Sequence, residues 1–236
     1  MPTRAVLFDL GNTLVDYYRS TEFRPILRDC MRCVSDTIGV ATDPEHLFAR
    51  ALELNREAPD LAVRPLADRL RELFPRCGAV SQDEMDRVCR AFMGPIFACA
   101  KVNGAAVEVL DALRTRGIKT AIVSNTPWGS ASQLWREELA RHSLLHMVNI
   151  AVFCVDVGWR KPHPAAFQRA LETLGVEAKD AIFVGDDPRW DIEGARRSGL
   201  RPVLLSLREE GRTDCTVVRG LREVLHLAAS DAANVG

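Results

Sequence analysis

Five short apolar runs punctuate the chain: Arg4–Asp9, Lys119–Ser124, Ile150–Cys154, Ala181–Gly185 and Pro202–Ser206. They are continuously apolar rather than alternating, the pattern of strands buried on both faces. Helical periodicity separates the later runs. Val107, Leu110 and Leu113 precede Gly117; Phe167, Leu171 and Leu174 precede Gly175; Ile192 and Ala195 precede Gly199. Each stripe ends on a glycine, which accepts the left-handed backbone of a helix C-cap. Strands alternating with helices predict a doubly wound α/β fold, a parallel sheet covered on both faces.

The stretch between the first two runs reads differently. From Thr21 to about Ala100 only helical spacing is visible. Phe23, Ile26, Leu27, Cys30 and Val34 share one face, as do Met85, Val88, Cys89, Phe92 and Ile96 after a capping box at Ser81 and Glu84. Leu47, Phe48, Ala51 and Leu52 predict another helix, and Leu66, Leu70 and Phe74 a further one. A segment this long exceeds any ordinary loop and is expected to be a small helical domain. The tail after Leu227 is expected to be disordered.

Composition narrows the function classes. A formal net charge of −1 gives no basic excess for nucleic acid. No stretch approaches the roughly 20 apolar residues of a membrane span. The apolar run from Ala5 to Phe8 is too short for a secretory signal and ends on Asp9. The 7 cysteines are odd in number, and Cys30 and Cys33 form a lone CxxC that reads as buried small hydrophobes. A reducing cytoplasm is the expected location.

In an open α/β sheet, ligands bind beyond the carboxyl ends of the strands. The polar residues there are Asp9 after the first run, Ser124 and Asn125 at the end of the second, Lys161 after the third, and Asp186, Asp187 and Asp191 after the fourth. Asp9 and Asp186 can offer oxygens to a hard cation such as Mg²⁺. A carboxylate can also attack phosphorus, while an ammonium and a hydroxyl hold the transferring oxygens.

The segments FDLGNT, IVSNT, RKPHP and VGDDPRWD, in this order, resemble the four motifs of the haloacid dehalogenase-like superfamily. The resemblance spans nearly the whole chain, with the helical segment where that family carries a type-1 cap. It implies a Rossmann-like core from residues 1–16 and 101–236, with an all-helical cap domain at 17–100 inserted after the first strand. It also implies a Mg²⁺-dependent phosphatase that hydrolyses a small phosphorylated metabolite through an aspartyl-phosphate. Asp9 becomes nucleophile and metal ligand, and Lys161 its catalytic partner. Ser124, Asn125 and Lys161 become phosphate-binding residues. The Gly11 carbonyl and Asp186 become further metal ligands, with Asp187 or Asp191 completing the set directly or through water.

One position departs from that pattern. Most phosphatases of the family carry a general acid–base aspartate two residues after the nucleophile, where this chain has Gly11. The departure keeps open a 2-haloacid dehalogenase and a catalytically weak phosphometabolite-binding protein. Asp16 is a candidate replacement for the acid, while His163, beside Lys161, is expected to be a solvated loop histidine rather than a catalytic one. Tyr17, Tyr18 and Arg19 are expected to pack a hinge or line the pocket. Trp128, Trp159 and Trp190 are expected to serve packing, and Arg24, Arg28 and Arg32 a solvated helix face. Asp191 is also a candidate N-cap for the helix of Ile192 and Ala195.

Overall fold

The computed structural model describes residues 2–41, 43–54, 60–207 and 214–230. Its main sheet has six strands, all parallel: β1 (Ala5–Phe8), β4 (Lys119–Ser124), β5 (Ile150–Phe153), β6 (Ala181–Gly185), β7 (Arg201–Leu205) and β8 (Thr216–Val218). The order across the sheet is β5-β4-β1-β6-β7-β8. The chain begins in the centre, winds outward through β4 and β5, and returns past β1 to β6. Strand order therefore reverses around β1, which opens a crevice at the carboxyl ends of β1, β4 and β6.

Alternation along β1 divides the core between the two faces of the sheet. Val6 and Phe8 join Ile122, Phe153, Ile182 and Val184 on one face. Ala5 and Leu7 join Ala121, Val123, Phe183 and Phe167 on the other. The first face is covered by α5 (Ala106–Thr115), α6 (Ser132–Arg141) and α10 (Val224–Ser230); the second is covered by α8 (Ala165–Leu174) and α9 (Glu193–Arg197). A single turn, α7 (Cys154–Val157), follows β5 directly, so that strand stops one residue earlier than its apolar run. The expected C-cap glycines 117, 175 and 199 all adopt positive φ.

Three features correct the sequence reading. Val107 is 48% exposed, because α5 instead buries Ala106, Val109, Leu110 and Leu113. The tail folds further than expected: α10 runs to Ser230, and residues 231–236 lie outside the described residues. The strands β8, β2 (Val15–Asp16) and β3 (Lys101–Val102) had no counterpart among the apolar runs.

β2 and β3 pair antiparallel, Val15 with Val102 and Asp16 with Lys101. This two-stranded ribbon brackets α1 (Phe23–Ile38), α2 (Pro44–Leu54), α3 (Leu66–Leu73) and α4 (Gln82–Ala98). Leu27, Cys30, Met31 and Val34 of α1 belong to one apolar cluster with Met85, Val88, Phe92 and Ile96 of α4. The capping box forms: Glu84 N donates to Ser81 Oγ at 3.3 Å, and Ser81 N donates to Glu84 Oε2 at 2.8 Å. Such a cap stabilises a helix start by about 1 kcal/mol. Cys30 is wholly buried and Cys33 partly so, both as thiols. The arginine face of α1 is not simply solvated, since Arg24 and Arg28 lie over the Phe48 ring and Arg28 pairs with Glu45. Among the described residues no helix is long and apolar enough to cross a membrane.

The helical segment touches the sheet domain beside Lys161. Val63 N donates to Gly158 O and Arg160 N donates to Leu61 O, both at 2.9 Å. Gly129, at φ +67°, lets the Arg64 carbonyl approach so closely that a Cβ there would lie 2.0 Å from its oxygen.

Candidate active site

The crevice holds a cavity of ≈ 230 Å³ whose lining includes Asp9, Gly11, Ser124, Asn125, Lys161, Asp186, Asp187 and Asp191. All the residues expected at the site are thus brought to one place. Register explains part of this. Phe8 pairs with Ile122 on one side and Val184 on the other, and Asp9 N donates to Val184 O at 2.8 Å. The residues following these three strands must therefore emerge together.

Lys161 is the hub. Its ammonium donates to Asp9 Oδ1 at 2.6 Å, to Asp191 Oδ1 at 2.6 Å and to the Val123 carbonyl at 3.0 Å. All three of its protons are used, and the side chain is only 2% exposed. Burial works against its charge, but the fields of Asp191 and Asp9 outweigh that and hold its pKa above the ordinary lysine value. Asn125 fixes the backbone here: Lys161 N donates to Asn125 Oδ1 at 2.8 Å, and Asn125 Nδ2 donates to Lys161 O at 3.3 Å. Ser124 is buried at the end of β4, its hydroxyl donating only a long 3.4 Å bond to Asn125 O.

Asp9, Asp186 and Asp191 each place a carboxylate oxygen within 4.8 Å of the others. Crowding has an electrostatic cost. Burial, and then the charge of Asp9, push the Asp186 pKa from 3.8 up to about 6. Burial likewise raises Asp191, against the opposing pull of Lys161. An all-oxygen donor set with more carboxylates than cations suits a hard divalent ion.

Asp191 does not cap the helix that follows it. That role falls to Asp187, whose Oδ1 accepts from Arg189 N at 2.7 Å and Trp190 N at 3.0 Å across the π-helical turn Pro188–Ile192. Asp191 instead turns inward, 1% exposed, and its Oδ2 accepts from Asp187 N at 3.1 Å. Gly185 makes room for it: a Cβ there would lie 2.3 Å from Asp191 Oδ2.

The secondary candidates divide. Asp16 is exposed on β2 and faces a different hollow with Asn103 and Arg219, so it does not line this cavity. His163 stacks on Trp159 at 4.7 Å and accepts from Ala165 N, also outside the cavity lining. Tyr18 packs on Phe23, while Tyr17 lines the cavity. Trp128 is buried against Phe92, as expected of a packing residue, but Trp190 reaches the cavity. Asn12, Pro127 and Trp135 line it too, without having been singled out in the sequence. Asn12 sits at φ 54°, a left-handed conformation that Asn tolerates; the Gly-Asn pair was its available signal. Nothing local in the sequence marks Trp135.

Residues 3–199 match the family model described as haloacid dehalogenase-like hydrolase. A phosphoserine phosphatase of Thermus thermophilus is 37% identical, covering 85% of this chain and 87% of that protein. A glyceraldehyde 3-phosphate phosphatase of Methanopyrus kandleri is 30% identical, covering 85% and 82% respectively. In fold, the chain is similar to the crystal structure of a 2-haloacid dehalogenase from Pseudomonas syringae pv. Tomato, with a TM-score of 0.68 at 21% identity and coverage of 96% and 98%.

Proposed function

The chain belongs to the haloacid dehalogenase-like hydrolases, and from that premise we propose that it is a Mg²⁺-dependent phosphatase of a small phosphorylated metabolite. The observation that carries the reading is the contact of Lys161 Nζ with Asp9 Oδ1 inside a cavity that also holds Asp186. The phosphatases named among its relatives support the substrate class.

In the proposed reaction an oxygen of Asp9 attacks phosphorus, and the phosphorus–oxygen bond to the alcohol breaks with its electron pair on the alcohol oxygen. Water then attacks phosphorus and releases Asp9 and inorganic phosphate. Lys161 orients Asp9 and offsets the charge of the transferring group. Ser124 donates to a phosphate oxygen, and Asn125 holds the Lys161 backbone in place. Asp9, the Gly11 carbonyl and Asp186 would hold the metal, with Asp191 better placed than Asp187 to complete the set. When bound, Mg²⁺ supplies the positive charge that lets an anionic ester approach an anionic nucleophile. Residues 17–100 would act as a cap that closes over the cavity and excludes bulk water during the transfer to Asp9, opening to admit the water of the second step. A cytoplasmic location accords with the buried thiols of Cys30 and Cys77.

Gly11 favours a second reading, a 2-haloacid dehalogenase, because no carboxylate lies at that position. The crowded Asp9, Asp186 and Asp191 argue against it, since displacing halide from carbon gives an acidic metal-type cluster nothing to do. The test is hydrolysis of phenyl phosphate with and without Mg²⁺, beside halide release from 2-chloropropionate. Activity on the ester that survives both chelation and Asp9→Asn would sink the proposal, and metal-free halide release would install the second reading.

A further inference from the structure

The proposed chemistry uses Ser124 and Asn125 but none of the residues that follow them. From that pair the chain passes through Thr126 into the tight turn Pro127–Gly129. The near end of this stretch is fixed, since Lys161 N donates to Asn125 Oδ1 at 2.8 Å and Thr126 N donates to Cys154 Sγ at 3.2 Å. Its far end closes on itself: Gly129 N donates to Thr126 O at 3.2 Å, and Ser130 N donates to Pro127 O at 3.0 Å. Little slack therefore separates Trp128 from the two phosphate-binding residues.

Trp128 sits in this turn at φ 60°, ψ 9°. A left-handed backbone is costly for a bulky aromatic residue, and it persists only where the surroundings over-determine it. What holds it lies on the helical segment. The indole is 3% exposed; it meets Phe92 of α4 edge-on at 5.2 Å, and the Arg69 guanidinium of α3 lies over it at 5.6 Å. The next residue is approached from the same segment, because Gly129 admits the Arg64 carbonyl where a Cβ would meet it.

Packing alone accounts for the buried ring. It does not account for the backbone, which Gly or Asn would adopt at less cost. A ring seated between α3 and α4 supplies the compensation only while the helical segment is in place. Once the segment withdraws, nothing offsets the left-handed conformation and the turn relaxes. Ser124 and Asn125 then shift, and through the Asn125 side chain the backbone of Lys161 shifts with them.

We infer that Trp128 is a positioning residue, its left-handed backbone transmitting the seating of the helical segment to the phosphate-binding pair Ser124 and Asn125. The inference rests on the phosphatase reading and adds a contact that makes phosphate binding depend on that segment. Trp128 does not line the cavity, so it acts without touching substrate.

The test measures phenyl phosphate hydrolysis with Mg²⁺, competition by inorganic phosphate, and melting temperature. The proteins are wild type, Trp128→Ala, Trp128→Asn, Phe92→Leu and the Trp128→Asn, Phe92→Leu double variant. Alanine and asparagine both remove the ring, but only asparagine tolerates the left-handed backbone. Trp128→Ala should weaken phosphate at least about fivefold, the scale of one lost hydrogen bond, and lower kcat at least about tenfold. Both losses should be at least about threefold smaller in Trp128→Asn, although the melting temperature falls in each. Phe92→Leu, in the helical segment, should weaken phosphate about threefold in wild type and by clearly less in Trp128→Asn. If Trp128→Ala does not fold, the Phe92→Leu comparison decides alone. Equal losses in Trp128→Ala and Trp128→Asn, or an effect of Phe92→Leu confined to the melting temperature, would overturn the inference and leave the phosphatase reading standing. Failure of wild type to hydrolyse phenyl phosphate would overturn that reading, and this inference with it.

Discussion

Lys161 Nζ lies 2.6 Å from Asp191 Oδ1, and each side chain of the pair is 2% exposed. The same ammonium lies 2.6 Å from Asp9 Oδ1, so Asp191 governs how the proposed nucleophile is held without touching it in the bonds described. Removing one partner of a buried ion pair leaves a charge without compensation, typically at about 3–5 kcal/mol. Asp191→Ala and Lys161→Ala should each destabilise by that order, and the double variant by clearly less than the sum. Denaturant titration of the four proteins checks this cycle; additive losses would mean the contact carries no coupling.

The same carboxylate can be disturbed from behind. A Cβ at Gly185 would lie 2.3 Å from Asp191 Oδ2, so Gly185→Ala must displace Asp191 while leaving its chemistry intact. The expected result is at least about a tenfold fall in kcat with unchanged far-ultraviolet circular dichroism, since positioning errors of this kind are costly. Full activity would show that the placement of Asp191 is unimportant.

Gly11 offers the opposite experiment. An added Cβ there meets nothing within 4 Å, and φ is not left-handed, so Gly11→Asp is sterically open. A carboxyl at this position should supply the missing general acid. Turnover of an alkyl phosphate should rise by about 10²-fold, the low end of general-acid contributions, while 4-nitrophenyl phosphate should change little because its leaving group needs no proton. Parallel kinetics on the two esters check the prediction, and equal changes on both would contradict it.

Asp186 sets a pH dependence whose sign is fixed by its environment. Its pKa is about 6 when folded against 3.8 ordinarily, so the folded state binds this proton more tightly than the unfolded chain. Stability from this group is present below about pH 4, declines as pH rises towards 6, and is lost above that window. In chelator, Asp186→Asn should match wild type near pH 4 and exceed it above pH 6, by up to about 3 kcal/mol. Added Mg²⁺ should stabilise wild type and not the variant. Thermal melts across this range decide the matter; a variant less stable than wild type at neutral pH contradicts the account.

Much of this arrangement was legible because the buried strands are continuous apolar runs. β4 and β6 begin and end where the runs do, and β1, β5 and β7 differ by single residues at their ends. The polar residues that follow them meet because parallel register aligns their ends. What escaped was either too short or too distant in sequence. The β2–β3 ribbon has two residues per strand and joins Val15 to Val102, a pairing that no local periodicity can display. The inward turn of Asp191 depends on the missing Cβ at Gly185 and on Asp187 taking the cap, and both are tertiary facts. Tyr17 and Trp135 meet edge-on only because the chain folds back after the whole helical segment between them.

The central claim is that Asp9 is the nucleophile of a phosphoryl transfer. Its most direct test is an acid quench during turnover of ³²P-labelled phenyl phosphate with Mg²⁺, followed by peptide mapping of the labelled protein. The account predicts acid-stable, hydroxylamine-labile label on Asp9, and none in Asp9→Asn. Label at another residue, or an Asp9→Asn protein that turns over the ester at the wild-type rate, would contradict it.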